Sequence, residues 1–127
     1  MINFTIYHNP RCSKSRQTLH IIEDNDIEPK IILYLEEPPD IKTLSKIINL
    51  LGVKPRDLLR TNEVEYKALN LKDKDIDDLE IIKLMSQNPK LIERPIVLSD
   101  NEAIIGRPPE NVLSLINKKN NGTKNFN

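Results

Sequence analysis

Among 127 residues there is one cysteine, Cys12, in the run Ile6-Tyr7-His8-Asn9-Pro10-Arg11-Cys12-Ser13-Lys14-Ser15-Arg16. A thiol reacts as its thiolate, and nearby cations or the positive end of a helix dipole favour that form. Arg11, Lys14 and Arg16 surround Cys12, and His8 lies on the same loop. A lone cysteine is more often a small buried hydrophobe, but a buried structural thiol has no need of a cationic loop. The third residue after Cys12 is Ser15, not a second cysteine. A Cys-x-x-Cys pair resolves its own covalent intermediate. This chain needs an external thiol to release one, and Ser15 can instead donate a hydrogen bond to the thiolate. His8 has two open roles, a cation that lowers the Cys12 pKa or a neutral capping or core residue, because its ordinary pKa of about 6.5 permits both. His20, on the helix expected next, reads as a surface residue.

A thiolate whose substrate is an anion needs further cations, or like charges repel. Three arginines can supply them. Arg60 is placed at the end of a short helix, Arg94 precedes Pro95 at a strand start, and Arg107 stands between Gly106 and Pro108 just past a strand. Proline stiffens the backbone beside the last two, and a guanidinium fork suits a tetrahedral oxyanion better than lysine does. One cysteine and two well-separated histidines make no zinc spacing. The three glycines are scattered, so no phosphate-cradling loop is present.

The elements that must position these residues follow from pattern. Asn3 to Tyr7 reads as a short buried strand, and Asn9-Pro10 breaks it into a loop. A helix is expected from Ser13 to Glu23, opened by the hydroxyl of Ser13 or Ser15, with Leu19, Ile22 and Ile21 inward. Ile31 to Leu35 is an apolar run that predicts a strand buried on both faces beside a parallel neighbour. Asp40 can cap a helix whose stripe is Ile41, Leu44, Ile47, Ile48 and Leu51, with Gly52 as its left-handed stop. Pro55 opens a short helix, Glu63 to Leu69 adds a turn or two, and Lys72 to Asp78 is a charged loop. Asp75 with Asp78 marks the next helix start, with Leu79, Ile82 and Met85 or Leu84 inward, stopping near Asn88-Pro89. Ile96 to Leu98 and Ala103 to Ile105 predict a hairpin. Pro108-Pro109-Glu110 opens a last helix with Val112, Leu113 and Ile116 inward. The expected organisation is one domain over residues 1–117, with a helical insertion at about 40–90 and a polar tail at 118–127. By periodicity alone this is one α/β option among several.

Charged residues make up 30% of the chain and the formal net charge is zero, so no global field favours nucleic acid or an anionic membrane. A single cysteine, with no signal-peptide pattern and no apolar run of about 18 residues, points to the cytoplasm and away from a membrane span.

The motifs Tyr7-His8-Asn9-Pro10-Arg11-Cys12-Ser13-Lys14-Ser15-Arg16, Ile32-Leu33-Tyr34-Leu35-Glu36, Glu93-Arg94-Pro95-Ile96-Val97 and Gly106-Arg107-Pro108-Pro109-Glu110 resemble the ArsC family, the glutaredoxin-dependent arsenate reductases. The resemblance runs from Asn3 to about Ile116. It implies a thioredoxin-like α/β fold, a small mixed sheet flanked by helices, with a helical insertion. It implies that Cys12 attacks arsenate to form a thioarsenate adduct. Arg60, Arg94 and Arg107 match the oxyanion-binding arginines, His8 the histidine that favours the thiolate, and Ser15 its hydrogen-bonding neighbour. No bound cofactor is implied. Glutathione and glutaredoxin are the external reductants, and the Arg94-Pro95 bond is expected to be cis. Arg11, Ser13 and Lys14 depart from the best-known arsenate reductases, making the loop more basic and resembling the ArsC-like branch. Two other readings share the scaffold. One is a glutaredoxin-like thiol-disulfide oxidoreductase. The other is a non-enzymatic Spx-like regulator that binds RNA polymerase, although such regulators typically carry Cys-x-x-Cys.

Overall fold

The structure is a computed structural model, and it describes residues 3–72 and 75–117. The chain folds into two compact units. The first comprises the segments Met1–Leu33 and Arg94–Asn127, and the second is Tyr34–Glu93.

The first unit holds a four-stranded sheet in the order β2-β1-β3-β4, formed by β1 (Thr5–His8), β2 (Lys30–Leu33), β3 (Ile96–Leu98) and β4 (Ala103–Ile105). β1 pairs with β2 in parallel and with β3 antiparallel, and β3 with β4 forms the expected hairpin. Helix α1 (Ser13–Asp24) is the connection between β1 and β2. This mixed sheet with its helices is a thioredoxin-like α/β arrangement. The register places Ile6 beside Val97 and Val97 beside Ile104, so these three share one face of the sheet. Phe4, Ile6 and Val97 form a core with Ile22 of α1 and with Val112, Leu115 and Ile116, with Leu19, Ile21, Ile104 and Leu113 packed at its margin. The last three buried side chains come from the 3-10 turn Pro109–Val112 and the helical residues 113–117. Leu113, expected inward, is only partly buried, and Leu115 takes its place in the core.

β2 departs from expectation. It ends at Leu33 rather than Leu35 and lies at the sheet edge, with Ile31 45% exposed. An apolar run reports strand propensity, but an edge strand has one hydrogen-bonded neighbour whatever its composition.

The second unit is helical. α2 (Ile41–Leu51) starts where the Asp40 carboxylate accepts the Thr43 N–H at 2.8 Å, and it stops at Gly52, whose φ of 68° suits a residue without Cβ. The Thr43 amide and hydroxyl hold the Asp40 carboxyl below its ordinary 3.8. A 3-10 turn, Pro55–Leu58, precedes Arg60, and α3 (Val64–Ala68) follows. α4 (Asp78–Gln87) is capped by Asp77, not Asp75: the Asp77 side chain accepts the Glu80 N–H at 2.9 Å. Its buried residues are Ile81, Ile82 and Met85, while Leu79 is 60% exposed. Leu79 and the adjacent apolar pairs Ile81-Ile82 and Leu84-Met85 left the phase of this helix open, and packing on α2 fixed it. Leu59 bridges Ile92, and the Arg60 N–H donates to the Leu91 carbonyl at 2.7 Å. No helix among the described residues is long and apolar enough to cross a membrane. The tail at 118–127 lies outside the described residues, as do positions 73 and 74 of the charged loop.

Candidate active site

β1 ends at His8, and the chain then makes a tight turn in which the Cys12 N–H donates to the Asn9 carbonyl at 3.0 Å. Pro10 fits the second position of such a turn. The Asn9 side chain accepts the Arg11 N–H at 3.0 Å, and Arg16 Nη1 donates back to the Pro10 carbonyl at 2.8 Å. The loop is therefore fixed by its own polar groups. Cys12 is the extended residue immediately before α1, and its carbonyl accepts the Arg16 N–H that opens the helix.

No side chain caps α1. The expectation that the hydroxyl of Ser13 or Ser15 would do so is corrected. Ser15 lies inside the helix and is fully buried. Its Oγ is 2.6 Å from His8 Nδ1 and accepts the Asn9 N–H at 3.0 Å. The hydroxyl thus fastens the helix to the end of β1. It is the Ser15 backbone N–H that reaches the sulfur.

Cys12 is partly exposed. Burial alone would raise its pKa. That is outweighed by the Ser15 backbone N–H, then by the Arg94 guanidinium through a hydrogen bond and its charge, then by the Lys14 backbone N–H. The thiol is held below its ordinary 9.0. Backbone amides at a helix start and a guanidinium stabilise a thiolate for the same reason, since each presents positive charge to the sulfur.

Arg94 and Arg107 converge from the other end of the chain. The Arg94-Pro95 bond is cis, as the family resemblance implied, and so is Arg107-Pro108. Arg107 Nη1 lies 4.0 Å from Cys12 Sγ and donates to the Arg94 carbonyl at 3.4 Å. Gly106 permits this approach: a Cβ there would stand 2.5 Å from Thr18 Oγ1 and 2.8 Å from the Pro95 ring. Thr18, fully buried on α1, donates to the Lys14 carbonyl at 2.8 Å and lies 3.4 Å from the Gly106 carbonyl. Sequence reading passed over Thr18; its place one turn after Ser15 on the same helix face was the available signal.

His8 is buried, and desolvation, aided by the Arg16 charge and opposed by Glu23, pushes its pKa below the ordinary 6.5. Of its two open roles, these surroundings favour the neutral ring. His20 is exposed. Arg60 belongs to the helical unit, where Nη1 is 2.7 Å from Glu93 Oε1 and Nε is 3.3 Å from Glu63 Oε1. The geometry of the first unit thus assembles Cys12, Ser15, His8, Arg94 and Arg107, and Arg60 pairs with carboxylates of its own unit.

Comparison with known proteins extends these observations. Residues 7–115 match the ArsC family. The uncharacterized protein YfgD of Escherichia coli K12 is 50% identical over 112 residues, covering 87% of this chain and 94% of that protein. An arsenate reductase of Haemophilus influenzae is 46% identical over 112 residues, covering 87% and 97%. An arsenate reductase from Vibrio cholerae has a solved structure that superposes with a TM-score of 0.86 at 45% identity, covering 89% of this chain and 97% of that one. A match that runs from the end of the first strand through the cysteine loop and both cis prolines leaves one assignment: this chain belongs to the ArsC family.

Proposed function

We propose that the protein is an arsenate reductase of the glutaredoxin- and glutathione-dependent type, working through a Cys12 thioarsenate intermediate. The observation that carries this reading is a partly exposed thiol with a lowered pKa, hydrogen-bonded by Arg94 and with Arg107 4.0 Å away. Relatives named arsenate reductase share the chain almost end to end.

In this mechanism arsenate docks with its oxygens toward the two guanidiniums, whose paired N–H groups suit a tetrahedral oxyanion. The Cys12 thiolate attacks arsenic, an As–S bond forms, and one oxygen leaves as water after protonation. The two electrons that take As(V) to As(III) come from two external thiols, glutathione first and then glutaredoxin, which leave joined as a disulfide. Water then frees arsenite and returns the Cys12 thiolate. Neutral His8 and the Ser15 hydroxyl fasten the start of α1 to the end of β1. Arg60 enters as a third oxyanion ligand through the family resemblance alone. The cytoplasm, where glutathione keeps thiols reduced, suits such a cycle.

Arsenite production with glutathione and glutaredoxin tests the reading. Wild type should turn over, Cys12→Ser should be inactive, and Arg94→Gln should lose about 100-fold in kcat/KM for arsenate, as loss of one preorganised donor does. Equal rates for wild type and Cys12→Ser would remove Cys12 as nucleophile.

A further inference from the structure

The loop that carries Cys12 holds more positive charge than an oxyanion requires. Arg94 and Arg107 already face the sulfur. Arg11, Lys14 and Arg16 are three further cations on the same loop and first helical turn, and all three are exposed. Arg16 is spent on the Pro10 carbonyl. No carboxylate pairs with Arg11 or Lys14 among the described residues. The first turn of α1 contains no acidic residue, and the nearest acidic residue along the helix is Glu23, near its far end. A solvated cationic patch of this kind is ordinary at a chain surface, but this one directly flanks the single nucleophile, on either side of it in sequence.

Resting on the arsenate-reductase reading, we infer that Arg11 and Lys14 select the thiol that releases Cys12, by binding carboxylates carried on that thiol. The releasing sulfur must come within bonding distance of an adduct on Cys12. Charged groups a few bonds from that sulfur then fall beside residues 11 and 14. A thiol with carboxylates gains there, and an uncharged or cationic thiol does not. The oxyanion and the thiol are thereby read by different cations, Arg94 and Arg107 for the first and Arg11 and Lys14 for the second. Each exposed pair is weak and screened by salt, so the selection appears as a preference between thiols.

The test uses disulfide exchange, which needs no arsenate. The Cys12 thiolate attacks one sulfur of an aromatic disulfide, a mixed disulfide forms, and the other half leaves as a thiolate, which the pyridine ring converts to the thione by taking up a proton; both products are read by their absorbance. Rates are measured with dithiobis(nitrobenzoate), which carries carboxylates, and with uncharged dithiodipyridine. Both are read on the same Cys12, so a change in folding or in thiol reactivity cancels in their ratio. In the double variant Arg11→Gln, Lys14→Gln the ratio of charged to uncharged rates should fall about five-fold at low salt. Added salt should lower the wild-type ratio more than the variant's, which keeps only the attraction of Arg16, Arg94 and Arg107. In arsenate turnover the KM for glutathione should rise by a similar factor, and that for mercaptoethanol should not. A ratio unchanged by the double substitution overturns the inference. Absence of arsenite production alongside a lowered ratio would instead remove the arsenate reading and leave the carboxylate-binding rim in place.

Discussion

At the scale of single residues, Ser15 and Arg94 divide the work around Cys12 in a way that mutation can separate. Ser15 Oγ serves His8 and the Asn9 amide, whereas the Arg94 guanidinium serves the sulfur. Ser15→Ala leaves two buried polar partners unsatisfied and should cost about 1–3 kcal/mol in urea unfolding. Because the Ser15 backbone N–H remains, the pH midpoint of Cys12 alkylation should stay at its wild-type value in that variant. In Arg94→Gln the midpoint should move up toward 9.0, since a charged hydrogen-bond donor is lost. Iodoacetamide rates across a pH series read both variants, and a shift in Ser15→Ala as large as that in Arg94→Gln would contradict this division. Sulfate should slow alkylation of wild type more than of Arg94→Gln if the guanidinium binds oxyanions.

Among the elements, α4 shows what burial decides beyond pattern. Leu79 and Ile81 are both apolar and two residues apart, yet one is 60% exposed and the other 2%. Ile81→Ala should cost about 2–5 kcal/mol, the range for a truncated core aliphatic. Leu79→Ala should change stability by no more than about 0.5 kcal/mol, as surface substitutions do. Chemical denaturation of the two variants separates them, and similar losses would mean that α4 buries a different face. α1 shows a related division. Its outer side carries Arg16 and His20, its inner side carries Ser15, Thr18 and Ile22, and the inner polar pair exists to fasten the helix to β1 and to the Gly106 turn.

For the molecule as a whole, stability should depend on pH through His8. Its folded pKa lies below 6.5, so between that folded value and 6.5 the unfolded chain binds more protons. The contribution is therefore complete above 6.5 and is lost as pH falls through the folded value. Urea midpoints of wild type should decline over this window more steeply than those of His8→Gln. Parallel declines would mean that His8 titrates alike in both states. The chain as a whole has a formal net charge of zero, so the excess of cations beside Cys12 is a local property of one loop.

The order of strands and helices, the Asp40 cap, the Gly52 stop and the closing hairpin were legible along the chain, because each depends on neighbours within a few residues. So was the cysteine loop, since its cations are adjacent in sequence. Three matters were not: that β2 would be an edge strand, that α4 would bury Ile81 and expose Leu79, and that the Ser15 hydroxyl would turn to His8 while its amide met the sulfur. Nor could the protonation state of His8 be read, because desolvation depends on which distant segments cover a side chain. Local pattern fixes what a residue can do; the folded chain fixes what surrounds it, and a thiolate or an imidazole takes its charge from those surroundings.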